Sequence, residues 1–220
     1  MATIRCRTLG ALLFPEFELL DVFGPLEAFG NLFVRDKFRV LTIGAAAGPV
    51  ASAQGPQAIA EHGLADCPPL DLLLVPGGMG TRREVDNEAV LAWLRVRASA
   101  AEIVMSVCTG AALLARAGLL DGLPATTNKR AFDWVVTQGP HVDWKRRARW
   151  VDAGKIVTSS GVSAGTDMAS TLILGAIVLA TLPVAALTAV RLGAKSGPPV
   201  VAKPRPMPAR PDTRVPSAAR

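Results

Sequence analysis

The sequence predicts an α/β fold with a mostly parallel central sheet and helices on both faces. Three observations lead there. Short apolar runs recur at residues 8–14, 38–43, 70–75 and 103–107, and each stops at a Pro, a Gly or a Cys-Thr-Gly turn. Between them lie segments whose apolar residues repeat at helical spacing, such as Val90, Leu91, Leu94 and Ala98. The strand-like runs carry almost no polar alternation, the pattern of strands covered on both sides. Strands alternating with helices in this way imply parallel pairing through crossover helices.

Taken in order, residues 8–14 form a first strand ended by Pro15, and residues 19–29 form a loop entering a helix. A second strand follows at 38–43. The Gly-, Ala- and Pro-rich segment 44–63 is a hairpin or an irregular excursion. Residues 70–75 form a buried strand running into the turn Pro76-Gly77-Gly78, and residues 87–100 form a helix. The strand at 103–107 ends at Cys108, and the next helix starts at once. Gly118 to Gly122 turns the chain, 125–128 is a short strand, and 131–137 a short helix. Residues 149–151 and 155–159 flank Asp152-Ala153-Gly154 as a hairpin, and 160–165 is a small-residue loop before a final helix at about Thr166.

Composition narrows the function. The chain has 220 residues, 50% hydrophobic and 19% charged, enough to bury a core without disulfides. The net charge of +6 belongs to residues 191–220, where seven basic side chains face Asp212 alone. The rest of the chain balances, so the charge is no argument for an acidic partner. There is no Tyr and little other aromatic residue, which disfavours a nucleic-acid stacking platform. Three cysteines, an odd number, and no apparent signal peptide fit a reducing, cytoplasmic setting. Residues 1–190 are read as one domain and 191–220 as a disordered basic, Pro-rich tail. Residues 168–190 carry no charge; they are read as a buried helix ended by Pro183 rather than a membrane span.

The chemistry centres on Cys108. A side chain at a strand–turn–helix junction is pushed out at the carboxyl end of the sheet, where open α/β sheets bind ligands. The amino end of the following helix favours a thiolate there. Asp21, after the first strand, either places a carboxyl group beside the sulfur or caps its own helix. The N–H groups of Gly78 and Thr109 are candidate oxyanion donors, and Pro76-Gly77-Gly78 read blandly is only a turn. Ser160, Gly161 and Ser163 are candidates for the far wall of a substrate site, with Gly77. His62 and His141 are isolated and are read as surface residues. No metal-ligand spacing, P-loop or dinucleotide glycine pattern occurs, so no metal or cofactor is expected. The run Lys145-Arg146-Arg147-Ala148-Arg149 is read as a solvated face.

Five stretches together resemble the ThiJ/PfpI superfamily, a flavodoxin-like branch of the class I glutamine amidotransferase-like fold. They are FPEFELLDVFGPLE at 14–27, DLLLVPGG at 71–78, SVCTGAALLARAGLLDG at 106–122, ATTNKRAFDWV at 125–135 and TSSGVSAGTDMA at 158–169. The resemblance covers about residues 8–175 and comes nearest to isonitrile hydratase-like members, which add water to R–N≡C to give an N-substituted formamide. It implies Cys108 as nucleophile, Asp21 as its acidic partner, and Gly78 and Thr109 as oxyanion donors. Thr109 stands where the protease-like branch has His, and Asn128 stands where other branches have a His near the cysteine, so a peptidase is disfavoured. Asn128 joins the expected substrate contacts. The resemblance also implies a homodimer. Superfamily members occur as sensors fused to helix-turn-helix regions; none follows here, so a regulator is not expected. The expected activity is a cysteine-dependent hydratase on a small electrophile; a redox-sensing Cys108 or a non-catalytic sensing domain is the alternative. Near Ile173 the chain departs from the superfamily pattern, as a core helix, a membrane anchor or an altered reading frame would each make it do.

Overall fold

β1 (Arg7–Leu12) leads through a tight loop into α1 (Leu19–Gly30), and β2 (Phe38–Gly44) follows. The computed structural model describes residues 5–31, 34 and 36–181. The segment with two open readings is a hairpin: β3 (Gly48–Ala51) pairs antiparallel with β4 (Gln57–Ala60), and β5 (His62–Gly63) joins the main sheet beside β2. β6 (Leu72–Val75), α2 (Thr81–Glu84) and α3 (Glu88–Ala100) come next. Asn87 is the cap of α3, its side chain accepting from the Val90 N–H at 3.4 Å.

β7 (Ile103–Val107) and α4 (Gly110–Arg116) bracket Cys108. The chain continues through β8 (Pro124–Ala125), α5 (Phe132–Gln138), β9 (Asp143–Trp144), β10 (Trp150–Asp152), β11 (Ile156–Ser159) and α6 (Val162–Thr181). The strand expected at 125–128 is shorter than the sequence indicates. After Ala125 the backbone leaves its pairing: the Thr126 N–H donates to Thr158 Oγ1 and the Thr127 hydroxyl to the Cys108 carbonyl. The final helix starts at Val162, not Thr166. The small residues at 163–165 are helical, and Gly165 lets α6 lie close to Val107 of β7. Ser163 is therefore on an exposed helical turn.

The main sheet runs β10-β11-β7-β6-β1-β2-β5, and only β10 is antiparallel to its neighbour. Its inner strands β2-β1-β6-β7-β11 reproduce the flavodoxin-like order, with the chain reversing direction of travel between β1 and β6. All four residues of β6 are buried. Successive strand side chains point to opposite faces, so both faces are covered. α1 packs on α6, and α4 packs against α2, α3 and α5. In register, Val75 lies beside Ser106 and Ser159 beside Val107, so the loops after β1, β6, β7 and β11 leave from one edge. No helix among the described residues is long and apolar enough to cross a membrane. The expected tail at 191–220 and the end of the 168–190 run lie outside the described residues.

Candidate active site

Cys108 sits where the chain turns from β7 into α4, and its backbone is left-handed, with φ of 57°. Only a sharp turn there connects a buried strand to a helix that starts two residues later. The turn forces close approaches. A Cβ on Gly110 would lie 2.3 Å from the Val75 carbonyl oxygen, so any side chain there forces the turn to shift. Gly78 combines φ of 127° with a Cβ position 2.3 Å from the Glu16 carbonyl oxygen, where it bridges to Phe17.

Asp21 is not the cap of α1. Glu18 holds that position, without a capping side-chain bond, and Asp21 is fully buried in the first turn. Its Oδ2 accepts the Gly77 N–H at 3.1 Å, and its Oδ1 has no hydrogen-bond partner among the described residues. Burial pushes the Asp21 carboxyl up to about 7; the Gly77 N–H opposes this, the nearby Glu18 charge adds to it, and contact with Cys108 opposes it. The expectation that the helix end makes Cys108 a ready thiolate is not met. Burial and then the Asp21 charge push the thiol up to about 12, outweighing the Thr109 N–H and the Asn128 side chain. A half-buried sulfur beside a carboxylate loses more solvation than one helix end returns.

Asn128 is oriented by its neighbours. Its Oδ1 accepts from the N–H groups of Arg130 at 2.9 Å and Ala131 at 3.1 Å, which leaves the amide NH2 to face the sulfur. The expected oxyanion pair is more engaged than the sequence indicates. The Gly78 N–H donates to Thr109 Oγ1 at 3.1 Å, and the Thr81 hydroxyl lies 2.7 Å from the Gly78 carbonyl and 3.1 Å from Thr109 Oγ1. The Thr109 N–H faces the sulfur.

A cleft of about 330 Å³ opens over the sulfur. Cys108, Thr109, Gly78 and Asn128 line it, together with Glu18, Met79, Arg82, Arg130 and Ala131. Gly77 lies beneath the rim, tied to Asp21 and packed on Thr109. Ser160, Gly161 and Ser163 are not among the lining residues. The Ser160 N–H is spent on the Arg149 carbonyl, while Gly161 stands beside the Asn128 amide. Sequence reasoning missed Glu18, Met79, Arg82, Arg130 and Ala131. A signal existed for Glu18 and Arg130, which lie three and two residues from Asp21 and Asn128 inside quoted motifs. His62 lies in the edge strand β5, 3.6 Å from Asp66, and His141 is exposed in a turn. The basic run at 145–149 is paired with acids: Lys145 with Asp143, Arg146 with Asp133 and Arg149 with Asp167.

A model of the DJ-1/PfpI family matches residues 9–174. Isonitrile hydratase of Pseudomonas putida is 37% identical over 164 residues, 74% of this chain and 69% of that protein. The HTH-type transcriptional regulator GbdR of Pseudomonas aeruginosa is 31% identical over 165 residues, 74% of this chain but 44% of the regulator. Among solved structures, a ThiJ/PfpI family protein from Pseudomonas syringae has a TM-score of 0.69 and 27% identity over 91% of this chain and 80% of its own. Drosophila melanogaster DJ-1beta shares the fold, with a TM-score of 0.66 at 18% identity, over 76% of this chain and 88% of its own. The chain belongs to the DJ-1/PfpI family.

Proposed function

We propose that the protein is a cysteine-dependent hydratase that converts an isonitrile, R–N≡C, to the formamide R–NH–CHO. The observation that carries the reading is the pairing of a buried Asp21 carboxyl with the Cys108 thiol at a strand–helix turn, under a cleft lined by no histidine. Asp21 takes the thiol proton and passes it to the isonitrile carbon as the sulfur attacks that carbon, giving the thioimidate R–N=CH–S–Cys108. Water adds to the same carbon, yielding its proton to the nitrogen through Asp21. The C–S bond then breaks, the C=O bond forms, the hydroxyl proton returns to the sulfur through Asp21, and the formamide leaves. A carboxyl poised near 7 suits this, because it can both take and give a proton at neutral pH. Asn128 and the Thr109 N–H hold the sulfur as charge develops on it. The reading requires a reduced thiol, which suits the cytoplasm, and it includes a homodimer, for which α1 offers the exposed side chains of Leu20 and Phe23.

The test is formamide release from a panel of alkyl and aryl isonitriles. The parent chain is expected to release it, Cys108→Ala to fall to background, and Asp21→Asn to lose about 10²- to 10⁴-fold in kcat. Full turnover in either folded variant, or none in the parent, would sink the reading. A second reading is a ligand-sensing domain without turnover, favoured by the regulator relative that matches a similar length of this chain. It predicts ligand-induced stabilisation of the parent and of Cys108→Ala, with no product from either.

A further inference from the structure

Two guanidinium groups line the Cys108 cleft without an acid to neutralise them. Arg82 and Arg130 both border it, and neither forms an ion pair among the described residues. Their neighbours differ: Arg83 pairs with Glu16, and Arg146 with Asp133. The lining acid, Glu18, is held elsewhere. Its Oε1 accepts from Gln54 Nε2 at 2.9 Å, while Gln54 Oε1 accepts the Leu19 N–H at 3.1 Å.

The side chain of Arg82 and the backbone of Arg130 are each held in place. The Arg82 guanidinium lies over the Trp134 ring, 4.6 Å from its centroid. Stacking holds the plane and leaves the edge N–H donors free for a bidentate acceptor. Arg130 follows Asn128, whose side chain fixes the Arg130 backbone N–H at 2.9 Å. The opposite charge sits toward the reacting end, where Glu18 and Asp21 lie three residues apart at the start of α1. An anion is repelled there and attracted at the arginines. Met79 and Ala131 supply apolar lining, and a volume of about 330 Å³ is at the small end for a ligand cleft.

We propose that this cleft selects small molecules carrying a carboxylate at the end remote from the reacting carbon, and that Arg82 and Arg130 bind that carboxylate. Resting on the hydration reading for the reacting end, this makes the substrate class an isocyano carboxylate rather than a neutral alkyl isonitrile.

The test separates binding from turnover. Calorimetry on the folded Cys108→Ala protein compares N-formyl-β-alanine, the product-like acid, with its neutral methylamide. The acid is expected to bind at least about tenfold tighter, with the margin shrinking as salt rises. In the Arg82→Gln/Arg130→Gln background the two ligands should bind within about twofold of each other. Both arginines are exposed, so these replacements leave the core untouched. Equal affinity, no binding of either ligand, or a preference that survives the double replacement would each overturn the proposal. Turnover of β-isocyanopropionate and its methyl ester by the parent chain is scored separately. Formamide from neither removes the hydration reading, while the binding comparison still decides the carboxylate site.

Discussion

A single carboxyl sets the behaviour of the reactive centre. Asp21 lies at about 7 in the fold against an ordinary value of 3.8, because burial strips water from its charged form. A raised carboxyl binds its proton more tightly when folded, so stability linked to Asp21 is present below about pH 4 and lost as pH rises to about 7. The loss is capped at about 4 kcal/mol, since each pH unit across that window counts about 1.4 kcal/mol. Asp21→Asn removes the linkage. Its melting temperature is expected to match the parent near pH 4 and to exceed it at pH 8, and a difference independent of pH would refute the raised carboxyl. Catalysis has the opposite slope. The active form carries one proton between Asp21 and Cys108, so kcat/KM is expected to rise through about pH 7 and to lose that limb in Asp21→Asn. Cys108 was legible from its position after an apolar run; for Asp21 the spacing left a helix cap and a partner of the sulfur open, and only the family resemblance chose between them. The direction of the thiol shift was not, because burial and a neighbouring charge come from parts of the chain distant in sequence.

At the scale of elements, the site depends on how closely α4 and the turn after β6 approach each other. Gly110 lets the first turn of α4 rest on the carbonyls of Val75 and Pro76. Gly110→Ala is expected to cost about 1–3 kcal/mol in denaturant unfolding and to slow alkylation or turnover at Cys108 by displacing the turn. An unchanged unfolding midpoint would show that the approach is not obligatory. The glycines of this junction were visible as turn residues, but their partners were not. The same difficulty misplaced the start of α6: a run of Ser, Ala and Gly reads as a loop by composition, whereas here it is a helix face narrow enough to meet Val107. At 126–128, side-chain hydrogen bonds from threonines displaced a strand that local propensity favoured.

For the whole molecule, the sheet order places Glu18, Gly78 and Cys108 on the carboxyl edge, around the reversal between β1 and β6, while Asn128 and Arg130 arrive from the segment after β8, in a separate two-stranded sheet. Beside that edge α1 leaves Leu20 and Phe23 exposed at 53% and 43%. The homodimer in the proposed reading gives these side chains a partner. Light scattering is expected to return twice the 23.0 kDa chain mass for the parent and the single-chain mass for Leu20→Lys/Phe23→Lys. A parent at single-chain mass would rule the dimer out, and a dimer surviving both substitutions would move it to another face.

By itself, the sequence determined the α/β class, the parallel sheet and the cysteine turn. These follow from short-range physics: apolar periodicity selects strand or helix, and Pro, Gly and Cys-Thr-Gly mark where each strand must stop. The tertiary structure alone decided which groups share the cleft and what charge they carry. Glu18, Arg82 and Arg130 reach it from three separate loops and helices, and Gln54 reaches Glu18 from the β3–β4 turn. Desolvation and Coulomb interaction act through space, so the thiol at about 12, the carboxyl near 7 and two arginines with no ion pair among the described residues arise only when the chain brings these segments together.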